Sequence, residues 1–197
     1  MARARFSREP ADKRRRALIE ACAALLARRG VAGASVRSIC AEAGVSPGLL
    51  RHYFSGIGAL IAATYVHVGD RVAVMLAEAT ATAGPDPRDR LLAYVQANFH
   101  PSVANSDLLA TWIALWSLVK ADPAIADLHG NVYAGFRKGI EELGAECGVP
   151  PSRARLMGIA VTALIDGLWL ELCLDPTTFS AEEASAIAKR WVDDWLP

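Results

Sequence analysis

Cysteine is scarce in this chain, and what there is does not cluster. The four cysteines, Cys22, Cys40, Cys147 and Cys173, form no Cys-x-x-Cys and have no paired histidine. That excludes a disulfide scaffold and a zinc knuckle, so no metal site is expected. Cys22 and Cys40 fall on apolar helical faces and read as core thiols of a reducing compartment, with redox sensing by Cys147 or Cys173 as the alternative. His67, His100 and His129 stand alone. Gly-x-Ser-x-Gly, His-Glu-x-x-His and a phosphate-cradling glycine loop are all missing, which argues against an enzyme and against a cofactor. An enzyme carrying an added binding head is the competing class. There is no strand-like alternation and no internal repeat. No run of about 18 uncharged apolar residues marks a membrane span. The opening Met-Ala-Arg-Ala-Arg-Phe lacks the apolar core of a secretion signal, so a cytoplasmic location is expected.

Net charge is also absent, with 21 basic and 21 acidic residues, but the balance hides a division. Residues 1–60 hold 11 Lys/Arg against 4 Asp/Glu, a net of +7, and residues 61–197 hold 10 against 17, a net of −7. A basic head on an acidic body is the asymmetry expected when one part faces phosphate and the other does not.

The head carries the most legible motif. From Ser35 to Phe54 the sequence reads Ser-Val-Arg-Ser-Ile-Cys-Ala-Glu-Ala-Gly-Val-Ser-Pro-Gly-Leu-Leu-Arg-His-Tyr-Phe. Ser35 is an N-cap, followed by Val36, Ile39, Cys40 and Ala43 at helical spacing. Gly44 supplies a left-handed residue that ends this helix, and Val45 plugs the turn. Ser46 caps a second helix, and Pro47 takes its first position, where a missing N–H costs nothing. Leu50, Tyr53 and Phe54 form the inner side of that helix; Gly48, Leu49, Arg51 and His52 form the outer side. Two short helices joined in this way read as a helix-turn-helix, whose second helix enters a major groove.

The rest reads as helix after helix, about nine in all: an all-α chain. Helix 1 is expected over about 11–29, stopping at Gly30, and helix 4 from Ile57 toward the break at Gly84-Pro85-Asp86-Pro87. Helix 5 is expected through Leu91 to Phe99, helix 6 from Leu108 to Val119, and helix 7 from Ile125 to Leu143. Helix 8, about 152–174, is apolar nearly all round, which requires a neighbour on its outer face. The last helix is expected over 180–196, with Ala184, Ile187, Ala188, Trp191 and Trp195 on one stripe. The domains follow as 1–58, a basic arm and helix-turn-helix, and 59–197, a helical body for ligand binding and dimerisation.

On these residues the chain resembles TetR-type transcriptional regulators over its full length. The likeness is strongest in 14–54, with a basic first helix, Ala-Gly-Val-Ser and Tyr-Phe. Trp112-Ile-Ala-Leu-Trp116, Ala163-Leu-Ile-Asp-Gly-Leu-Trp-Leu170, His52-Tyr53-Phe54 and Arg14-Arg15-Arg16 are similar to the choline-responsive BetI branch. The resemblance implies a homodimeric repressor of double-stranded operator DNA, paired through helices 8 and 9 and released by a small-molecule effector. It also implies DNA contacts from Arg14, Arg15, Arg16, Ser35, Arg37, Ser46, Pro47, Gly48, Leu49, Arg51, His52 and Tyr53, with Arg37 as the base reader and Tyr53 on a phosphate. One departure stands out: Ile57 replaces the lysine that commonly contacts phosphate at the start of helix 4. The arm of Arg3, Arg5, Arg8 and Lys13–Arg16 is the expected compensation.

Candidate effector contacts are Trp112, Trp116, Asp166 and Trp169, with Tyr133 and Glu171 weaker. Trp112 and Trp116 share a face of helix 6, and Asp166 and Trp169 share a face of helix 8. The tryptophans read equally as core. A carboxylate among Leu164, Ile165, Leu168 and Leu170 is costly to desolvate unless paired, by a serine, a backbone donor or a cationic ligand over tryptophan faces. The resemblance favours choline or a related quaternary ammonium. An uncharged apolar effector, as in regulators of efflux or catabolic operons, is the alternative.

Overall fold

The computed structural model describes residues 11–197; the arm residues Arg3, Arg5 and Arg8 lie outside the described residues. Nine α-helices, and no strand, make up the described chain: α1 Ala11–Gly33, α2 Val36–Glu42, α3 Pro47–Tyr53, α4 Ile57–Thr82, α5 Pro87–Gln96, α6 Ser106–Trp116, α7 Pro123–Glu146, α8 Pro151–Leu174 and α9 Ala181–Asp193. A 3₁₀ turn, Ala97–Phe99, follows α5.

Local chemistry sets the head. Ser35 and Ser38 form a reciprocal capping box, with Ser38 N donating to Ser35 Oγ at 3.1 Å and Ser35 N to Ser38 Oγ at 2.9 Å. Gly44, at φ +64°, makes the left-handed turn that a side chain would strain. Leu49 N donates to Ser46 Oγ at 3.3 Å, and Pro47 opens α3. Ile39, Cys40, Leu50 and Phe54 close the small core between these helices and α1. Loss of either serine cap would cost about 1 kcal/mol.

Three boundaries differ from the sequence expectation. α1 does not stop at Gly30 but kinks there (φ 60°, ψ −169°) and runs one further turn to Gly33. α6 ends at Trp116 and leaves Val119 in a run of turns before Pro123. α9 ends at Asp193, so Trp195 lies beyond it. The inner stripe of α9 is Ala184, Ala188 and Val192, while Ile187 is 46% exposed. Small side chains bury well where helices approach closely; of the larger apolar residues in the expected stripe, Trp191 and Trp195 pack against the core and Ile187 faces out.

α4 is the spine. It leaves the head just after Phe54, and Leu60, Tyr65, Val68, Val72 and Leu76 run down its buried side. α1 packs along both α4 and α6, α7 lies against α8, and α9 caps α5 and α8. α8 buries Met157, Val161, Ile165 and Trp169 on one side and leaves Leu156, Ile159, Leu170 and Leu174 exposed on the other. α4 and α8 are each long and apolar enough, by length and composition, to cross a membrane. The expectation of no such segment counted only uninterrupted apolar runs and is corrected to that extent. Both helices turn an apolar side into the protein core.

Candidate functional site

The head presents an exposed polar rim. Arg37 on α2 and Pro47, Gly48, Arg51 and His52 on α3 are exposed, while Leu49 and Tyr53 are half-buried. His52 and Tyr53 meet edge to face, with ring centroids 5.0 Å apart. Ser35 and Ser46 already use their hydroxyls as helix caps, so their first task is to hold α2 and α3 in place. Arg15 lays its guanidinium over the Phe54 ring, 5.2 Å from the centroid, which ties the basic start of α1 to the end of α3. Arg16 is exposed and Arg14 half-buried. Ile57, where a phosphate-binding lysine is common, is half-buried and packs against the core. The position anchors the α3–α4 junction and offers no donor.

The body holds a cavity of about 370 Å³ between α4, α7 and α8. Trp112, Tyr133, Asp166 and Trp169 all line it, joined by Tyr94, Asn98 and Phe136, which sequence reasoning did not single out. Trp116 is the exception. It stacks beside Trp112, centroids 6.3 Å apart, but faces a larger, more open groove with Lys120, Arg137 and Arg155. Tyr133 and Asp166 form the wall between the two spaces, since both line each of them.

That wall supplies a partner for the carboxylate. Tyr133 Oη donates to Asp166 Oδ1 at 3.0 Å, a phenol where a serine or backbone donor was weighed. Burial pushes the Asp166 carboxyl up to about 6, against the Tyr133 hydrogen bond and the nearby Arg137 charge, which hold it down. Tyr133 itself is raised well above the phenol range, first by burial and then by the Asp166 charge. The polar chain continues inward: the His129 ring lies 4.2 Å from that of Tyr133, and His129 Nδ1 shares a 2.9 Å hydrogen bond with Tyr65 Oη on α4. Burial lowers the His129 pKa. Trp169 is fixed by its indole N–H, which donates to the Asn98 carbonyl at 3.0 Å. The N–H of Trp112 is buried with no acceptor, a cost of about 1–3 kcal/mol that the apolar packing must offset. Among the described residues no three metal-ligating side chains come together.

The geometry thus offers two features on one chain: an exposed basic helix-turn-helix, and an aromatic cavity with one half-buried carboxylate. Comparisons with known proteins match both parts. Residues 18–64 fit the family of bacterial regulatory proteins of tetR type, and residues 87–197 the C-terminal part of BetI-type transcriptional repressors. The chain is 36% identical over 189 residues to the HTH-type transcriptional regulator BetI of Pectobacterium atrosepticum, covering 93% of this chain and 94% of that one. A crystal structure described as a transcriptional regulator from Pseudomonas aeruginosa PAO1 superposes with a TM-score of 0.87 at 40% identity, over 97% of this chain and 94% of the other. A regulator from Saccharomonospora viridis, crystallised in complex with choline, shares the fold at a TM-score of 0.81 and 18% identity, over 94% and 98% of the two chains.

Proposed function

We propose, from the premise that this chain belongs to the TetR family of transcriptional regulators and to its BetI-type branch, that its effector is a quaternary ammonium cation, choline first. The chain is a DNA-binding transcriptional repressor. Regulators of this family bind operator DNA and a small-molecule effector, typically as dimers. One observation carries the choice of effector: the aromatic walls of Trp112, Trp169, Tyr133, Tyr94 and Phe136 surround a cavity with the Asp166 carboxylate in its wall. A quaternary ammonium has no N–H to donate, so π-faces and an unlike charge are what hold it. The choline complex of the Saccharomonospora viridis regulator supports this reading.

Release of DNA follows from α4. The helix begins at Ile57, beside the recognition helix, and reaches the cavity at Gly69, about 18 Å further along its axis. An occupant that displaces the cavity stretch of α4 also tilts its other end, and with it α3. Effector then favours a dimer whose two heads no longer match the half-site spacing, provided it binds that state more tightly. Residues 1–58 are the DNA-reading part in this account, 59–197 the sensing and pairing part, and the protein works in the cytoplasm with its DNA.

A gel-shift titration tests the reading. Millimolar choline should release the protein from operator DNA taken from its own upstream region. Release by an uncharged apolar compound, with choline inert, would replace the quaternary ammonium by the apolar alternative.

DNA contacts are tested separately. Affinity should fall steeply with salt, because most contacts go to phosphate. Arg37→Ala should cost about 1–3 kcal/mol and relax base preference at one position of each half-site. Tyr53→Phe should weaken all sequences alike. Equal losses on operator and random duplex for Arg37→Ala would assign Arg37 to the backbone instead.

A further inference from the structure

Two carboxylates face the cavity. Among the described residues that line it, the only acids are Asp166 and Asp70, and no lysine, arginine or histidine takes part. Asp166 is half-buried in the wall shared with the outer groove, and Asp70 is exposed at the mouth. The exposed lining residues define that mouth: Asp70, Ala73 and Ala77 of α4, and Asn131 and Gly135 of α7. Apart from Asp70 and Asn131 they carry a methyl group or no side chain, so little stands between a passing ligand and the Asp70 charge. α4 and α7 run close beside it, since a Cβ on Gly69 would meet both Val132 methyls at 3.4 Å. The cations that face this region, Lys120, Arg137 and Arg155, line the outer groove beyond the Tyr133–Asp166 wall. On α4 itself, His67 and Arg71 are the charged or titratable neighbours of Asp70.

We infer that Asp70 is a specificity-determining residue of the effector site: it draws cations into the mouth and turns away ligands that carry a carboxylate. The inference rests on the quaternary ammonium reading and sharpens it. A trimethylammonium alcohol is accepted, and a trimethylammonium bearing its own carboxylate is rejected. The physical reason is the low-dielectric wall around the mouth. It focuses the field of Asp70 along the entry path, where a ligand carboxylate meets a like charge and no cation among the lining side chains.

Calorimetry on the full chain tests this with three probes of similar shape: choline, glycine betaine, and the uncharged isostere 3,3-dimethylbutanol. The unmodified protein should bind choline at least tenfold more tightly than glycine betaine. Asp70→Asn should weaken choline roughly three- to tenfold at low salt and flatten its salt dependence. The same change should narrow the gap to glycine betaine and leave the neutral alcohol unaffected. Asp70 is exposed, so the variant should keep its helix content and its operator affinity without effector, which circular dichroism and gel shifts check. Unchanged choline and glycine betaine affinities in the variant would overturn the role of Asp70 while leaving the effector reading intact. If the unmodified protein binds the neutral alcohol but not choline, the effector reading fails and this inference with it.

Discussion

Replacing Ile187 with glutamate should leave a folded monomer that no longer holds its operator. Ile187 on α9 and the α8 residues Leu156, Ile159, Leu170 and Leu174 are all large, apolar and exposed on the single chain. Along α8, Leu156, Ile159, Ala163, Gly167, Leu170 and Leu174 fall at helical spacing on one exposed side, with no charge among them. Such a face is what two copies of α8 and α9 need to form a four-helix contact, and a carboxylate at its centre would be buried without a partner. Ile187 makes a small contribution to the core of its own chain, so circular dichroism should be unchanged. Leu164→Glu is a poorer probe, because Leu164 packs partly against the protomer core. Losing the second head converts a bivalent contact to a monovalent one, a loss of about 10²- to 10⁴-fold in operator affinity. Light scattering gives the mass and gel shifts give the affinity. An Ile187→Glu protein that remains dimeric would rule out this face.

Choline affinity should fall about tenfold for each pH unit below about 6, and the fall should vanish in Asp166→Asn. The cation favours the ionised carboxylate, and Asp166 holds its proton up to about 6 because burial disfavours the charge. Stability of the free protein should move the opposite way. The folded pKa lies above the ordinary aspartate value of 3.8, so between about pH 4 and 6 the folded chain retains a proton that the unfolded chain has released. The contribution is therefore full below about pH 4 and is lost as pH rises through 6, at most about 3 kcal/mol. Asp166→Asn should remove both trends and cost choline at least tenfold at neutral pH. Tyr133→Phe should move the pH midpoint upward and lower choline affinity below it, since it removes the hydrogen bond that favours ionisation. Calorimetry from pH 5 to 8, with urea unfolding over the same range, separates the two opposed slopes. A pH-independent choline affinity would remove Asp166 from the site.

The head was readable because its determinants are local. Ser35, Gly44, Ser46 and Pro47 each act within four residues, and the structure uses them as the sequence predicts. The body was readable only in outline. Asp166 stood out as a carboxylate in an apolar helix, but its partner Tyr133 lies 33 residues away on another helix. Tyr94 and Phe136 carry no local mark that separates a cavity wall from core, and Asp70 resembles any solvated helix charge. Trp116 shows the limit of spacing most clearly. It stacks beside Trp112 on one helix, and yet the α7 side chains that pack there put it in the neighbouring groove. The stripe of α9 was legible except at Ile187: Ala184 and Ala188 are buried and Trp191 and Trp195 pack against the core, while Ile187 faces out.

The seam between α1 and α6 bears on how such a protein can be rebuilt. α1 belongs by sequence to the DNA-reading head but packs along α6 of the body, and Thr111 Oγ1 reaches the Ala23 carbonyl at 3.3 Å while also bonding its own helix at Asp107. A biosensor made by grafting residues 1–58 of another regulator onto this body would cut through buried packing, not through a linker. Thr111 and its α6 neighbours would have to be exchanged along with the head. Operator preference and effector preference are thus separable in chemistry but not in chain, and an interchangeable part here is a head together with the helix it leans on.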